Sequence, residues 1–249
     1  AEKWVKAKGG DTIVGPINLS TNDTVGLLVE GFDMPPVAMM PYNFPYYIDL
    51  ITNSGYGHKV DLRAYLVMEK SADKRSVMLL DRLEERLKRS GITLRQFNVK
   101  DFKNEAARVR DIYNRAWDKN SGFVPMTEDE FNYTAKDLKM ILDPRFAIVA
   151  EKDGELVGFG LGIPDINQIL IKVKRGRLLP TGIFKLLFGK KKINLLRVLM
   201  LGVLEDYRKL GIEACLYGRI IKESKDSNIK GAECSWMLEH NYMMNHAIE

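Results

Sequence analysis

An apolar run, Leu195–Val203, passes directly into a polar turn and then into a helical segment, and this junction constrains the fold more than any other stretch of the chain. The run is too short to span a bilayer and Arg197 interrupts it, so it predicts a buried strand. The helical segment opens with Arg208 and Gly211. Because the first N–H groups of a helix lack internal partners and lie at its positive end, a phosphate can bind there. The junction therefore predicts a strand, a turn and a helix N-terminus that suits a phosphorylated ligand.

Further strands and helices are predicted around this junction. The Asp153-Gly154 pair between two apolar runs is typical of a hairpin turn, and Thr127 is predicted to cap the helix that follows it. The elements predicted for the second half are strands at Ile92–Phe97, Phe146–Glu151, Leu156–Gly162, Asn194–Val203 and Ala232–Met237, and helices at Lys103–Trp117, Glu128–Leu142, Tyr207–Ser224 and from Asn241 onward. Because helices separate the strands only in places, we expect an α/β fold of the α+β type, with a mixed, mostly antiparallel sheet flanked by helices.

The first half of the chain gives weaker patterns and a proline-rich loop. The elements predicted there are strands at Thr12–Asn18 and Leu62–Glu69 and helices at Tyr46–Thr52 and Asp81–Lys88. A domain boundary is expected near residues 70–92. The chain is thus expected to divide into a first unit at 1–75, a helical linker at 76–91 and a second unit at 92–249.

The junction resembles the acyl-CoA-binding motif of the GCN5-related N-acetyltransferase (GNAT) superfamily, in which an apolar strand precedes Arg/Gln-x-x-Gly-x-Gly/Ala. Arg208, Gly211 and Ile212 match this motif, and the strand Glu233–Met237 with the turn before Asn241 resembles the element that follows it in the family. The resemblance covers about residues 92–249. It implies a GNAT-type sheet whose last strand is missing from the second unit.

Residues 1–75 resemble the closing part of a GNAT domain more faintly. Asn43 is similar to the asparagine of the family's turn, and Gly55-Tyr56 to a glycine-aromatic pair at the end of its last helix. The resemblance therefore implies a tandem-GNAT bacterial protein with two GNAT-like halves, of which the first is incomplete. The sequence has the character of a piece cut at both ends.

The resemblance also implies an activity and a set of binding residues. The expected reaction transfers an acetyl or longer acyl group from acyl-CoA to an amine of a small molecule or peptide by direct attack. The family's strand carries a bulge that pairs with the pantetheine arm, and by position this bulge is expected near Leu201–Val203. The implied cofactor-binding residues are Leu201, Val203, Arg208, Lys209, Gly211, Ile212, Ala214 and Asn241.

Three carboxylates are candidates for the base that takes a proton from the amine. Glu233 on the predicted penultimate strand is the first choice, because burial beside a cleft raises the pKa of a carboxyl group. Glu239 in the following turn and Asp165 after the hairpin are the other candidates. A structural or solvated role is the alternative for each of them.

Two positions depart from the family pattern. Glu213 replaces the last small residue of the motif, so a carboxylate stands where it would repel a phosphate unless it points away and Ala214 supplies the small side chain. Ile248 stands where the family often has the tyrosine that protonates the leaving thiolate. These departures leave open an alternative, a catalytically inactive GNAT-like protein that binds a ligand or acts as a scaffold.

Charge and cysteine content bound the remaining possibilities. The formal net charge is +5, with basic clusters at Lys172–Arg177 and Lys185–Lys192 that indicate either a solvated face or attraction of a polyanion, such as a phosphorylated cofactor, nucleic acid or an anionic surface. No recognised nucleic-acid module accompanies the charge, which argues against a nucleic-acid partner.

Two cysteines make no disulfide framework, so with no membrane span and no signal peptide predicted a cytoplasmic location is expected. His240 and His246 are too far apart for zinc, and the oligomeric state is open.

Overall fold

A computed structural model describes residues 1–18, 20–68, 74–118, 122–177 and 179–248. The strands of these residues are β1 (Leu62–Met68), β2 (Ile92–Gln96), β3 (Ala147–Lys152), β4 (Glu155–Pro164), β5 (Leu195–Val203) and β6 (Gly231–Leu238). They form a six-stranded sheet in the order β1-β6-β5-β4-β3-β2. Every neighbouring pair is antiparallel except β5 and β6, which run parallel. The mixed, mostly antiparallel sheet predicted from the sequence is confirmed.

Helices cover both faces of this sheet. They are α1 (Glu2–Ala7), α2 (Tyr46–Asn53), α3 (Lys74–Arg89), α4 (Phe102–Trp117), α5 (Glu128–Ile141), α6 (Asn167–Leu170), α7 (Gly182–Gly189), α8 (Ile212–Lys225) and α9 (Tyr242–Ile248). Alternation along β3 separates the two layers, because successive side chains of a strand point to opposite faces. Ile148 and Ala150 pack in one core cluster with residues of α8, whereas Val149 packs in a second with residues of α4 and α5.

Strand β1 comes from the first half of the chain and pairs with the last strand, β6, from Leu62 opposite Leu238 to Met68 opposite Gly231. It occupies the sheet edge next to β6, where the second half was predicted to lack a strand. Glu69, the predicted end of this strand, lies outside the described residues. The division into units at 1–75, 76–91 and 92–249 stays a prediction, although one sheet here contains strands from both sides of that boundary.

Helix α3 connects the two edges of the sheet and packs on α8. The closest approaches are at two glycines: Leu83 Cδ2 lies 2.7 Å from where a Cβ of Gly211 would stand, and Leu80 Cδ1 lies 3.0 Å from that of Gly218. The helix was predicted over Asp81–Lys88 and extends further at its N-terminal end. The missing side chains on α8 therefore make room for α3.

Two predicted elements differ from the observed ones. Thr12–Asn18 is not a strand, since it contributes an isolated bridge between Ile17 and Val25, and Pro16 within it has no N–H to donate to a ladder. Helix α8 begins at Ile212 rather than at Tyr207, because Lys209 and Gly211 have φ angles of 66° and 90°, which an α-helix cannot contain.

Candidate functional site

Strands β5 and β6 part after a short parallel ladder. They pair from Leu195 opposite Gly231 to Val198 opposite Cys234. Beyond this point β5 continues to pair with β4 as far as Val203, while β6 continues to pair with β1 as far as Leu238. Within the described chain, the side of β5 that faces β6 has no strand partner over residues 199–203. The sheet therefore contains an open backbone edge in its middle.

A β-bulge marks the start of this open edge. In the β4–β5 ladder, Leu161 pairs with Met200 and Gly162 with Val198, so Leu199 is the unpaired extra residue of β5. The bulge was predicted near Leu201–Val203, and that position is wrong. Leu201, Gly202 and Val203 have regular partners in β4, and the irregularity lies closer to the point where β6 diverges.

The N-terminus of α8 follows the open edge along the chain. Gly211 is the N-cap residue and no side chain caps the helix, so the first N–H groups of Ile212, Glu213 and Ala214 have no intrahelical acceptor. Glu213 is half-buried and Ala214 is exposed. The anion site at this helix end stays a prediction.

Arg208 holds the turn that leads into α8. Its Nε donates to the carbonyl oxygen of Val203 at 3.3 Å, and its Nη2 donates to that of Ala116 at 2.8 Å. The side chain therefore joins the end of β5 to the end of α4. Lys209 is exposed beside it. Arg208 and Lys209, both predicted to bind the cofactor, thus have different surroundings.

A cavity of about 310 Å³ lies against the sheet on the side of α4 and α5. Most of its lining is apolar, and Leu199 and Met200 at the bulge belong to it. Further lining residues from the second half are Phe102, Ala106, Val109, Tyr113, Trp117, Phe131, Ala135, Leu138, Phe159 and Trp236. Thr21, Asn22, Val25, Met39 and Leu62 complete the wall from the first half.

A buried ion pair lies where β5 and β6 still run side by side. Arg197, 2% exposed, donates from Nη1 to the carbonyl oxygen of Ala38 at 2.7 Å, and its Nε lies 3.7 Å from Oε2 of Glu233. The Arg197 Nε and both Glu233 carboxylate oxygens have no hydrogen-bond partner. Arg197 also lines the cavity, and its guanidinium stacks over Trp236 at 5.2 Å from the ring centre.

Burial shifts both members of this pair toward neutrality. It raises the pKa of Glu233, a shift that the neighbouring Ser235 side chain and then the charge of Arg197 counteract. It lowers the pKa of Arg197, and the charge of Glu233 counteracts that shift. Buried polar atoms are nearly always hydrogen-bonded, so the two bare carboxylate oxygens of Glu233 are an unusual feature. Arg197 was missed as a site residue, although a charged side chain inside an apolar strand run was the signal that pointed to it.

Of the other predicted residues, Asp165 lies near this pair, since Ala38 bonds to both Arg197 and Asp165 and the charge of Asp165 raises the pKa of Glu233. Asp165 accepts hydrogen bonds from the backbone N–H groups of Ala38, at 2.8 Å, and Asn167, at 3.2 Å, and burial raises its pKa. Glu239 is half-buried in the turn after β6. Asn241 is exposed and accepts from the N–H of Met244 at 3.4 Å, which suits a helix cap for α9.

Two curated relatives align with the whole of this chain. Protein YghO of Escherichia coli is 34% identical over 255 residues, and the bacterial ceramide synthase of Caulobacter vibrioides is 35% identical over 258 residues. The chain spans 64% of the length of the first and 65% of the length of the second. No family model matches the sequence.

Solved structures of low sequence identity share parts of the architecture. A GCN5-related N-acetyltransferase from Sphaerobacter thermophilus is 14% identical with a TM-score of 0.48, covering 82% of this chain and 50% of its own. The enzyme AAC(6')-Iy, solved with a CoA-containing bisubstrate analogue, is 13% identical with a TM-score of 0.41, covering 63% of this chain and 86% of its own.

Proposed function

Because this chain has the GNAT-type fold, we propose that it is an acyl-CoA-dependent N-acyltransferase that acts on an amine carrying a long alkyl chain. One observation carries the proposal: the open edge of β5 runs from the uncapped N-terminus of α8 to an apolar cavity. The helix N-terminus offers a phosphate-binding site, the open edge offers backbone hydrogen-bonding groups, and the cavity offers space for alkyl chains. They lie in the order in which acyl-CoA presents a diphosphate, a pantetheine arm and an acyl group.

The free N–H groups of Ile212, Glu213 and Ala214 suit the diphosphate, since a helix N-terminus binds anions without a side chain. The unpaired backbone of residues 199–203 suits the amide groups of the pantetheine arm, which can hydrogen-bond to it as a neighbouring strand would. The bulge at Leu199 then lies beside the thioester, because it is the point where the open edge meets the cavity. A backbone N–H at this bulge is our candidate for polarising the thioester carbonyl.

Glu233 is our candidate for the group that takes the proton from the attacking amine. Its two carboxylate oxygens lack hydrogen bonds, so they are able to accept one from an ammonium group. Burial gives the carboxyl a raised pKa, which brings it closer to the range useful for a general base. Arg197 beside it favours the ionised form. Asp165 is less suited, since backbone N–H groups already occupy its carboxylate.

The apolar cavity and the curated relatives support a lipid-like acceptor. A ceramide is an amide formed between a fatty acid and a long-chain amino alcohol, and the Caulobacter relative is named as a ceramide synthase. The cavity lining of this chain is rich in aromatic and aliphatic side chains, and such a surface gains about 0.8 kcal/mol for each CH₂ group that it buries. A short polar amine gains nothing comparable there.

Thiol release from acyl-CoA tests the proposal directly. Purified protein is mixed with acetyl-CoA or palmitoyl-CoA and with sphinganine, hexylamine or an amine-bearing peptide, and free CoA is measured with a thiol reagent. Turnover that needs both a long-chain amine and an acyl-CoA supports the proposal. Calorimetric CoA binding without release of thiol on any of these amines would instead support the inactive, ligand-binding alternative.

A variant in the cavity wall tests whether the cavity binds the alkyl chain independently of CoA binding. Leu138→Trp fills part of the cavity wall, so the preferred alkyl chain should become shorter while CoA affinity stays unchanged. Tyr133→Trp, on the exposed side of the same helix, is the matched control and should leave chain-length preference as it is.

A further inference from the structure

One face of α7 is apolar and exposed to solvent, although the opposite side of the helix packs against the core. Phe184, Leu187 and Phe188 are spaced three and four residues apart, so they lie on one side of the helix, and Phe188 is 74% exposed. The two phenyl rings stack at 6.5 Å between centroids. We call these three side chains the α7 apolar face.

Close contacts fix the helix at both ends and along its inner side. A Cβ on Gly182 would stand 2.6 Å from the carbonyl oxygen of Arg177, and one on Gly189 would stand 3.0 Å from Ile169. Leu186, on the inner side, packs against the buried core cluster that contains Ile169. The apolar face is therefore displayed by a docked helix and is not the inner side of a helix that has come away from the core.

Basic residues flank this face in sequence, with no acidic residue among them. No Asp or Glu stands between Asp165 and Glu205. The basic residues of this stretch that are exposed are Lys172, Arg175, Arg177, Lys185, Lys190, Lys191 and Lys192. None of these forms an ion pair with a carboxylate in the part of the chain that the structure describes. Leu179, 70% exposed, adds a further apolar side chain among them.

We propose that the segment 171–192 is a docking surface for an anionic lipid bilayer, with the α7 apolar face inserted among the headgroups and the basic side chains against lipid phosphates. Phenylalanine and leucine flanked by lysine and arginine are the composition of helices that lie in the plane of a membrane interface. Anionic lipids attract such basic clusters, and the attraction falls with salt. A long unbroken apolar helix is not needed for this mode, and no helix of the described chain is long and apolar enough to cross a bilayer.

Other occupants fit these observations less well. A nucleic acid would match the basic residues but leave Leu187 and the neighbouring aliphatic side chains without a partner, since its backbone offers only charged and polar groups. A second copy of this chain would cover the apolar face but bring two basic clusters together without acidic partners. A bilayer is the one partner that satisfies both the apolar and the basic side chains.

The position of the surface relates it to the cavity. Lys190 Nζ donates to the carbonyl oxygen of Met140 at 3.0 Å, which joins the end of α7 to the end of α5. Leu138, Lys139 and Leu142, at the same end of α5, line the cavity. A docked bilayer would thus lie near the helix that forms one cavity wall. The docking itself does not depend on the proposed activity, and it is tested without acyl-CoA.

Vesicle cosedimentation tests the docking with the full chain. The protein is mixed with vesicles of phosphatidylcholine alone or of equimolar phosphatidylcholine and phosphatidylglycerol, at low and high salt. We expect binding to the anionic vesicles that weakens as salt rises. Equal, weak binding to both vesicle types would overturn the proposal, as would tighter binding to a single-stranded oligonucleotide at the same salt.

Two variants and a control locate the surface. Phe184→Ser/Leu187→Ser/Phe188→Ser and, separately, Lys191→Gln/Lys192→Gln should each lower vesicle affinity by about tenfold or more. Because these side chains are exposed, melting temperature should stay near that of the unaltered chain. Met78→Ser/Leu79→Ser on α3 removes exposed apolar side chains elsewhere and should bind as before. Unchanged vesicle binding by the triple variant, or loss of a dimer in place of vesicle binding, would contradict the assignment.

Discussion

At the scale of single residues, the buried pair of Arg197 and Glu233 is the least compensated feature of the molecule. Taking two charges out of water costs more than a 3.7 Å contact returns when three of the polar atoms make no hydrogen bonds. A pair of this kind is a poor device for stability. Arg197 lines the cavity, and under the proposed function a bound amine would supply the missing hydrogen-bond partners of Glu233.

Removing the positive partner should be strongly destabilising. Arg197→Met leaves Glu233 buried with no counter-charge, and we expect a loss of about 3–5 kcal/mol in the free energy of unfolding at neutral pH. Arg197→Met/Glu233→Gln should recover much of this loss, because no buried charge remains. Urea denaturation of both variants measures the effect, and a double variant no more stable than the single one would contradict it.

The same pair predicts how the stability loss of Arg197→Met depends on pH. The folded pKa of Glu233 lies above the unfolded value near 4.5, and removing Arg197 raises it further. A group of this kind stabilises the fold below its unfolded pKa and loses that contribution as pH rises through the folded pKa. The deficit of Arg197→Met relative to the unaltered chain should therefore be smallest in acid and grow toward neutral pH. Denaturation midpoints across that range check the sign.

Replacing Gly211 should affect both the packing of α3 on α8 and the proposed phosphate-binding site. At φ 90° any side chain is strained, and the new Cβ would stand 2.7 Å from Leu83. Gly211→Ala should cost about 1–3 kcal/mol of stability and weaken CoA binding. Leu83→Ala in the same chain removes the clash but not the backbone strain, so it should restore part of the stability. Thermal melting and calorimetry with CoA separate the two effects.

At the scale of elements, the sequence predicted those features that are decided by residues close together in the chain. The helix cap at Thr127, the hairpin at Asp153-Gly154 and the strand β5 are all present as predicted, because each is decided within a few residues. The bulge position and the start of α8 were wrong. The bulge depends on the register against β4, and the start of α8 depends on the left-handed backbone at Lys209 and Gly211; an apolar pattern shows neither. The cavity joins segments far apart in sequence.

Helix α5 offers a clean test of the cap. The Thr127 hydroxyl accepts from the N–H of Glu130 at 3.3 Å, and the Glu130 carboxylate accepts from the N–H of Thr127 at 2.8 Å. Thr127→Ala should lower the free energy of unfolding by about 1 kcal/mol. Thr127→Ser keeps the hydroxyl and should lose much less, so the difference between their melting temperatures reports the cap. Equal losses for both would assign the effect to the methyl group.

At the scale of the whole molecule, the two halves of the chain build one sheet and one cavity wall. Asn22 accepts from the Tyr113 hydroxyl at 2.6 Å and donates to the carbonyl oxygen of Val124 at 2.8 Å, which holds the first segment over α4. Tyr65 of β1 donates to Asn245 of α9 at 3.0 Å. The proposed two-unit division therefore describes the order of the sequence better than the location of the candidate site.

Tyr65→Phe tests how firmly the first half is attached. It removes the hydroxyl that bonds to the buried Asn245 and leaves the ring in place, so we expect a loss of about 1 kcal/mol. Tyr133→Phe, which removes an exposed hydroxyl on α5, should have no measurable effect. Chemical denaturation with a single cooperative transition in both variants would show that the halves unfold together. Two separate transitions would show that they do not.

The pairing of β1 with β6 has a consequence for synthesis on the ribosome. Strand β1 is translated before every other strand of this sheet, yet its partner ends at Leu238, so β1 has no strand partner until the last strand of the sheet has been made. Contacts of such long sequence separation slow folding and leave strand edges exposed to other nascent chains. We therefore expect residues 62–68 to be open to binding by a folding helper until β6 has been made.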